Sequence, residues 1–169
     1  MTKHWPERRL LVLLGALYFA QGLPFGLITR ALPAIARDAG LPLEYIGLLA
    51  LAAVPWALKF LWAPWIDRVG RGADNHRKRW ILACQLAAVM VLAAMALLPM
   101  EALTPAVFLL LLALLFLLNL CFATHDIASD GLAVRLLPIG LRGIGNSLQT
   151  GGYKVGLLCG GALLLWLVG

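Results

Sequence analysis

Acidic and amide side chains recur on one face of a long apolar segment. Asn119, Asp126 and Asp130 are spaced by seven and four residues, which places them along one side of an α-helix, with His125 and Ser129 beside them. A charge inside a bilayer costs several kcal/mol unless it is paired or hydrated, so ionisable residues within such segments are candidates for function. The spacing therefore predicts a polar face that binds a solute, carries a proton or holds a structural ion pair.

The two aspartates of this face differ in their predicted roles. For Asp126, a substrate contact or proton carrier and a structural ion pair with Lys154 or Arg135 are equally open. Asp130 lies nearer the predicted cytoplasmic end of the segment, and there a structural role is favoured.

A second polar stripe lies on the following segment. Asn146, Gln149 and Tyr153 share one helical face at spacings of three and four, with Lys154 next to it. Two polar stripes on consecutive helices predict a shared aqueous cavity.

The first apolar segment has a polar stripe of its own. Tyr18, Gln21, Phe25 and Thr29 share a face, and Pro24 loosens the backbone near its middle, where a binding site could use a broken helix. Gln21 is the candidate cavity residue of this stripe.

Two cations in these segments are expected to extend toward the bilayer surface rather than bind. Arg30 points away from the stripe of the first helix, and Lys59 sits between Trp56 and Trp62 near the predicted cytoplasmic end of the second. Long basic side chains near helix ends reach the interface in this way.

The elements that carry these residues are membrane helices. Of the residues, 62% are hydrophobic and 13% charged, and the mean hydropathy is +0.90. Apolar runs long enough to cross a bilayer predict five helices, at about 10–32, 43–65, 80–98, 106–136 and 144–168. The first is too long for a secretion signal. The fold class predicted for 1–169 is all-α and integral to the membrane.

Basic residues alternate between loops and give the chain an orientation. Cytoplasmic loops collect Lys and Arg, so the N-terminus is predicted to be cytoplasmic. The net charge of +6 is then a sign of orientation, and no nucleic-acid partner is predicted. The basic residues of the three predicted cytoplasmic regions are Lys3, Arg8 and Arg9; Arg68, Arg71, Arg77, Lys78 and Arg79; and Arg135 and Arg142.

Other patterns indicate packing rather than chemistry. Gly152, Gly156 and Gly160 recur every four residues and predict a helix that packs closely against another. The three cysteines lie in apolar runs, and no disulfide framework, metal site or cofactor is predicted. The sequence G-L-x-x-R-x-L-P occurs at 26–33 and 131–138 in segments of opposite predicted orientation, so an inverted repeat and a chance match are equally open.

The residues at 63–71, A-P-W-I-D-R-V-G-R, resemble the signature loop G-x-x-x-D-[RK]-x-G-[RK] of the major facilitator superfamily, with Ala63 in place of its first Gly. The resemblance implies a transporter of about twelve helices, of which this chain supplies five of the first six and lacks the C-terminal half. It also implies gating roles for Asp67, Arg68, Gly70 and Arg71.

A finer resemblance comes from Q-G-L-P at 21–24, K-F-L-W-A-P at 59–64 and H-D-I-A-S-D-G at 125–131. These motifs are similar to the branch of muropeptide permeases, acetyl-CoA transporters and RhtX/FptX-type siderophore permeases, the last most of all. The resemblance implies uptake of a ferric siderophore, as a small-molecule substrate, across the bacterial inner membrane by proton symport. Substrate and proton would meet Gln21, Asp126, Asn146, Gln149, Tyr153 and Lys154.

Two other functions stay in view. The first is a muropeptide or acyl-CoA-type permease of the same branch, and the second is a membrane fragment that regulates or assembles with a partner. An enzyme is not predicted: D-G-L-A-V-R at 130–135 resembles the start of the CDP-alcohol phosphotransferase motif, but no acidic residue follows Asp130 to hold its metal ions.

Overall fold

The fold is helical throughout the part of the chain that the structure covers. The computed structural model describes residues 7–38, 40–69, 75–99, 104–163 and 165–166. Its α-helices are α1 (Glu7–Gly26), α2 (Leu32–Asp38), α3 (Leu43–Leu48), α4 (Val54–Leu58), α5 (Ala63–Arg68), α6 (His76–Ala96), α7 (Pro105–Leu136) and α8 (Arg142–Leu158). Short π and 3₁₀ turns join several of them into longer rods, and these described ranges contain no β-strand.

Four of these rods are long and apolar enough to cross a bilayer: Glu7–Asp38, Leu43–Leu61, His76–Ala96 and Pro105–Leu136. Large apolar side chains lie exposed along them, with Leu86, Val89 and Met90 each about two-thirds exposed. Such a surface is unfavourable in water but suits lipid. The predicted all-α membrane fold is confirmed.

The fifth predicted crossing, 144–168, is less apolar. Helix α8 continues as a π-helix over Cys159–Leu163, but it is not among the four membrane-length rods found in the described residues. Helix α8 carries Arg142, Asn146, Gln149 and Lys154, which lower its hydropathy. That α8 crosses the membrane stays a prediction.

Prolines explain where the first rod changes its helical geometry. The rod passes through Pro24 and then Pro33 and ends at Asp38, beyond the predicted end at 32. A π-helix over Leu27–Ala31 precedes Pro33, and the Leu32 N–H donates to the Leu27 carbonyl. Since proline lacks an N–H and crowds the preceding turn, a wider turn here lets the helix continue.

The second rod is interrupted for a related reason. It alternates between α-helix and 3₁₀-helix, with 3₁₀ turns at Leu49–Ala53 and Lys59–Leu61. Pro55 and Pro64 each stand in the first turn of the α-helix that follows such a stretch, a position where their missing N–H is tolerated. Because a 3₁₀-helix has three residues per turn, side chains three apart align there.

The chain divides into two compact units, and helix α7 contributes to both. Unit 1 comprises 1–35 and 129–169, and unit 2 comprises 36–128. In unit 1, Leu14, Tyr18 and Leu137 form a buried cluster.

Glycines allow α1 and α8 to pack closely in unit 1. A Cβ atom built on Gly152 would lie 2.7 Å from the Gly15 carbonyl oxygen, and one on Gly156 would overlap the Phe19 carbonyl oxygen. The predicted close packing of this glycine stripe is confirmed. Gly160, in the π-helix that continues α8, meets Leu23, so later residues of this rod meet later residues of α1 and the two run in the same direction.

In unit 2, the second rod and α7 also run in the same direction. Tyr45 packs edge-on against Phe108 with 4.8 Å between ring centroids. Further along both helices, Trp62 donates to Thr124. Parallel directions are those expected when one crossing in the opposite direction lies between two helices.

Enlarging Gly156 should loosen the α1–α8 contact. Gly156→Val brings side-chain atoms into the backbone of Phe19, and overpacking of this kind costs about 1–3 kcal/mol. We expect a lower midpoint of thermal unfolding for the full-length protein in detergent. The matched control is Gly151→Val on the same helix, because a Cβ there meets no atom within 4 Å. Equal shifts for both variants would contradict this packing.

Candidate functional site

The central feature of unit 2 is an ion pair between two rods of membrane length. Lys59 Nζ donates to Asp126 Oδ2 at 2.5 Å. The side chain of Asp126 is 10% exposed and that of Lys59 is 35% exposed. The carboxylate is thus held inside the unit, while part of the lysine is open to its surroundings.

This pair corrects two expectations. Lys59 was expected to extend to the bilayer surface, but it pairs with Asp126. For Asp126, an ion pair with Lys154 or Arg135 was one of two open alternatives, and the ion pair in the structure is made by Lys59. Trp56, Lys59 and Trp62 all bond to α7, so they lie on the face of the chain that meets this helix. A cation beside a carboxylate there avoids the cost of a lone charge in hydrocarbon.

Two tryptophans flank Lys59 and are fixed to α7. The Trp56 Nε1–H donates to Asn119 Oδ1 at 3.0 Å, and the Trp62 Nε1–H donates to Thr124 Oγ1 at 3.1 Å. Asn119 Nδ2 and Thr124 Oγ1 in turn donate to carbonyls of their own helix, at 2.9 and 2.8 Å. Both indoles are therefore held in fixed orientations. Lys59 Nζ also lies 5.4 Å from the Trp56 ring centroid, within cation–π range.

A further polar contact ties α6 to the same face of α7. Gln85 Nε2 and His125 Nε2 lie 3.3 Å apart, and His125 is 1% exposed. Polar contacts of α7 with both neighbours in unit 2 thus cluster around the ion pair.

Unit 1 holds a second cluster around Asp130. The Tyr18 hydroxyl donates to Asp130 Oδ1, and Gln149 Nε2 donates to the same oxygen at 2.8 Å. These bonds join α1, α7 and α8 through one carboxylate. Nearby, the rings of Phe25 and Tyr153 lie 5.8 Å apart.

The other predicted cavity residues vary in their environment. Gln21 is 1% exposed, and Gln149 and Tyr153 are half-buried on the side of α8 that meets α1 and Asp130. Asn146 and Lys154 are exposed. The structure thus joins Gln149 to Asp130, and it places Asp126 in a separate ion pair within unit 2.

Of the predicted gating residues, Asp67 has a partner in the structure. Arg77 Nη2 lies 3.0 Å from Asp67 Oδ1, joining the end of α5 to the start of α6. Trp65 and Trp80 pack edge-on nearby, 5.5 Å between centroids. Arg68 is exposed, and Gly70 and Arg71 lie outside the described residues.

The sequence contains a pattern that indicates where the two tryptophans lie relative to Lys59. Trp56, Lys59 and Trp62 are spaced three residues apart, and prolines at 55 and 64 flank them. A period of three beside proline indicates a 3₁₀ turn that stacks these side chains. Thr124 and Gln85 gave no comparable signal, because single polar residues in apolar helices commonly bond to their own backbone.

Several helices of membrane length define a class, the polytopic membrane proteins, in which intramembrane charges are candidates for function. Similarity to known proteins gives the family. The family model described as "Acetyl-coenzyme A transporter 1" matches residues 10–167, and the chain belongs to this family.

Similar proteins come from several bacteria. The chain is 34% identical to the anhydromuropeptide permease of Escherichia coli K12 over 162 residues, which are 96% of this chain and 32% of that protein. It is 29% identical to the putative transporter AmpG 4 of Rickettsia felis over 170 residues, 99% of this chain and 40% of that protein. The chain therefore spans about a third of the length of the curated relatives that it matches.

The family and these relatives are named as transporters and permeases, not enzymes. The predicted resemblance to acetyl-CoA transporters and muropeptide permeases is confirmed. The predicted likeness to siderophore permeases finds no support among them.

Removing one charge of the ion pair should destabilise unit 2 more than removing both. Asp126→Asn leaves the Lys59 ammonium without its carboxylate. An unpaired charge costs about 2.5–3.5 kcal/mol at the centre of a membrane helix and less near its end, where Lys59 lies. We expect a clear fall in the thermal unfolding midpoint of the full-length protein, and recovery of most of it in Lys59→Gln/Asp126→Asn. A double variant no more stable than the single one would show that the pair is not coupled.

Proposed function

We propose that the full-length protein is a permease of the major facilitator type and that this chain forms most of its N-terminal six-helix half. The observation that carries the proposal is the Lys59–Asp126 pair, held between two rods of membrane length. Ionisable residues within membrane helices are by default candidates for a role in moving a solute or an ion. The family of the chain supports the same conclusion.

The proposed cargo is a muropeptide. The anhydromuropeptide permease of Escherichia coli matches nearly the whole chain, which favours this alternative over the ferric siderophore expected from the sequence motifs. An acyl-CoA-type cargo is the second candidate, favoured by the description of the family.

The proposed location is the bacterial inner membrane, with the N-terminus in the cytoplasm. Basic residues at the N-terminus, after the second segment and after the fourth support this orientation. The parallel directions of α1 and α8, and of the second rod and α7, are compatible with five crossings.

The segment 63–71 is proposed to gate transport. Asp67 and Arg68 match the charged positions of the major facilitator signature, and Gly70 and Arg71 complete it. The Asp67–Arg77 ion pair supports the proposal, because it gives Asp67 one partner that movement of this segment could exchange for another.

Uptake by reconstituted protein tests the cargo. Liposomes containing the full-length protein should accumulate labelled anhydromuropeptide in a saturable way and should exclude a ferric siderophore, because the two solutes differ in size and chemistry. Empty liposomes are the control. Uptake of the siderophore instead would favour the ferric siderophore cargo that the sequence motifs imply. Uptake of neither, nor of an acyl-CoA, would favour a regulatory or assembly role.

Transport is further proposed to be coupled to protons through Asp126. Its carboxylate is buried in a membrane-length helix, where a proton can replace the lysine as the means of neutralising it. We expect an imposed pH gradient, acidic outside, to drive muropeptide uptake by the wild-type protein. Asp126→Asn should abolish this drive while exchange of labelled for unlabelled cargo continues. A variant still driven by the gradient would contradict this role for Asp126.

A further inference from the structure

The two charges of the intramembrane pair are unequally accessible. Asp126 is enclosed, with 10% of its side chain exposed, whereas 35% of the Lys59 side chain is exposed. Lysine is also the longer and more flexible partner, so its ammonium can turn toward another anion without leaving the site. An incoming ligand would therefore meet the cation first.

The residues around Lys59 suit a ligand in which an anionic group is attached to a larger apolar part. Trp56 and Trp62 stand on either side of it along a segment with a 3₁₀ turn, where residues three apart align. We refer to Trp56, Lys59 and Trp62 as the Trp–Lys–Trp strip. Both indoles can offer flat apolar faces, and their N–H groups are already bonded to α7.

Because its indoles are anchored to α7, the Trp–Lys–Trp strip is preorganised for binding. Asn119 and Thr124 hold the indoles and are themselves bonded to the carbonyls of Leu115 and Leu120. A ligand that packs on these rings does not have to order them, which lowers the entropic cost of binding. The mobile element of the strip is the lysine.

We propose that Lys59 binds a carboxylate of the cargo and that Asp126 is the internal counter-ion that occupies Lys59 when no cargo is bound. Binding exchanges one carboxylate for another on the same ammonium, while the rings of Trp56 and Trp62 pack against the body of the cargo. The proposal rests on the proposed permease function and makes Lys59 a specificity-determining residue for acidic solutes.

Electrostatics favours this exchange over binding of a neutral solute. A neutral cargo gains nothing from Lys59 that Asp126 does not already supply, whereas a carboxylate on the cargo replaces the bond that Lys59 loses. The buried Asp126 carboxylate is then neutralised by the proton whose coupling is proposed above. Removal of the carboxylate from the cargo should therefore cost affinity that depends on Lys59.

Binding of matched cargoes tests the proposal. The probes are labelled anhydromuropeptide and the same compound with its carboxylates converted to carboxamides, measured at equilibrium on the purified full-length protein. The wild type should bind the acidic form at least tenfold more tightly. Lys59→Gln/Asp126→Asn, which removes both charges together, should bind the acidic form at least tenfold more weakly than wild type and the carboxamide form within about threefold.

Lys78→Gln is the matched control, because Lys78 is an exposed lysine at the start of α6. It should leave both affinities unchanged. A wild-type protein that binds the two cargoes equally would overturn the proposal, and this result needs no variant to fold. A double variant that keeps the wild-type preference would overturn it as well. Wild-type protein that binds neither cargo would contradict the proposed function itself.

Discussion

The bilayer does not solvate charge, and this constraint explains the arrangement around Lys59 and Asp126. In unit 2 an ammonium and a carboxylate from two rods of membrane length are 2.5 Å apart. The bonds from Trp56 to Asn119 and from Trp62 to Thr124 hold the same two helices together on either side. Pairing lowers the free-energy cost of the two charges in hydrocarbon, and the tryptophan bonds fix the position of the second rod against α7.

Unit 1 is held together by a different means. Close backbone contact along the glycines of α8 brings it against α1, and Asp130 joins both helices to α7 through Tyr18 and Gln149. Where apolar surface is already satisfied by lipid, close packing and polar bonds supply the association of helices. Backbone contacts and polar bonds hold unit 1 together, and unit 2 carries the ion pair on which the proposed exchange depends.

The sequence predicted the helices well and the contacts unevenly. Apolar runs predicted five helices, of which four are found as membrane-length rods in the described residues, and the glycine spacing predicted close packing of α8 without naming α1 as its partner. Both predictions depend on local pattern. The stripe of Asn119, Asp126 and Asp130 was recognised, but the partner of Asp126 was not. The spacing of Trp56, Lys59 and Trp62 places them on one helical face, but which helix that face meets depends on tertiary packing. The partners of Asn119 and Thr124 depend on how helices pack, which no single segment encodes.

An experimental structure of the full-length protein with muropeptide bound is the most direct test of the exchange at Lys59. We expect a cargo carboxylate within about 4 Å of Lys59 Nζ, with the ammonium moved away from Asp126 and the cargo packed on Trp56 or Trp62. A bound cargo that lies elsewhere, with the Lys59–Asp126 pair intact, would contradict the exchange and show that the pair is structural.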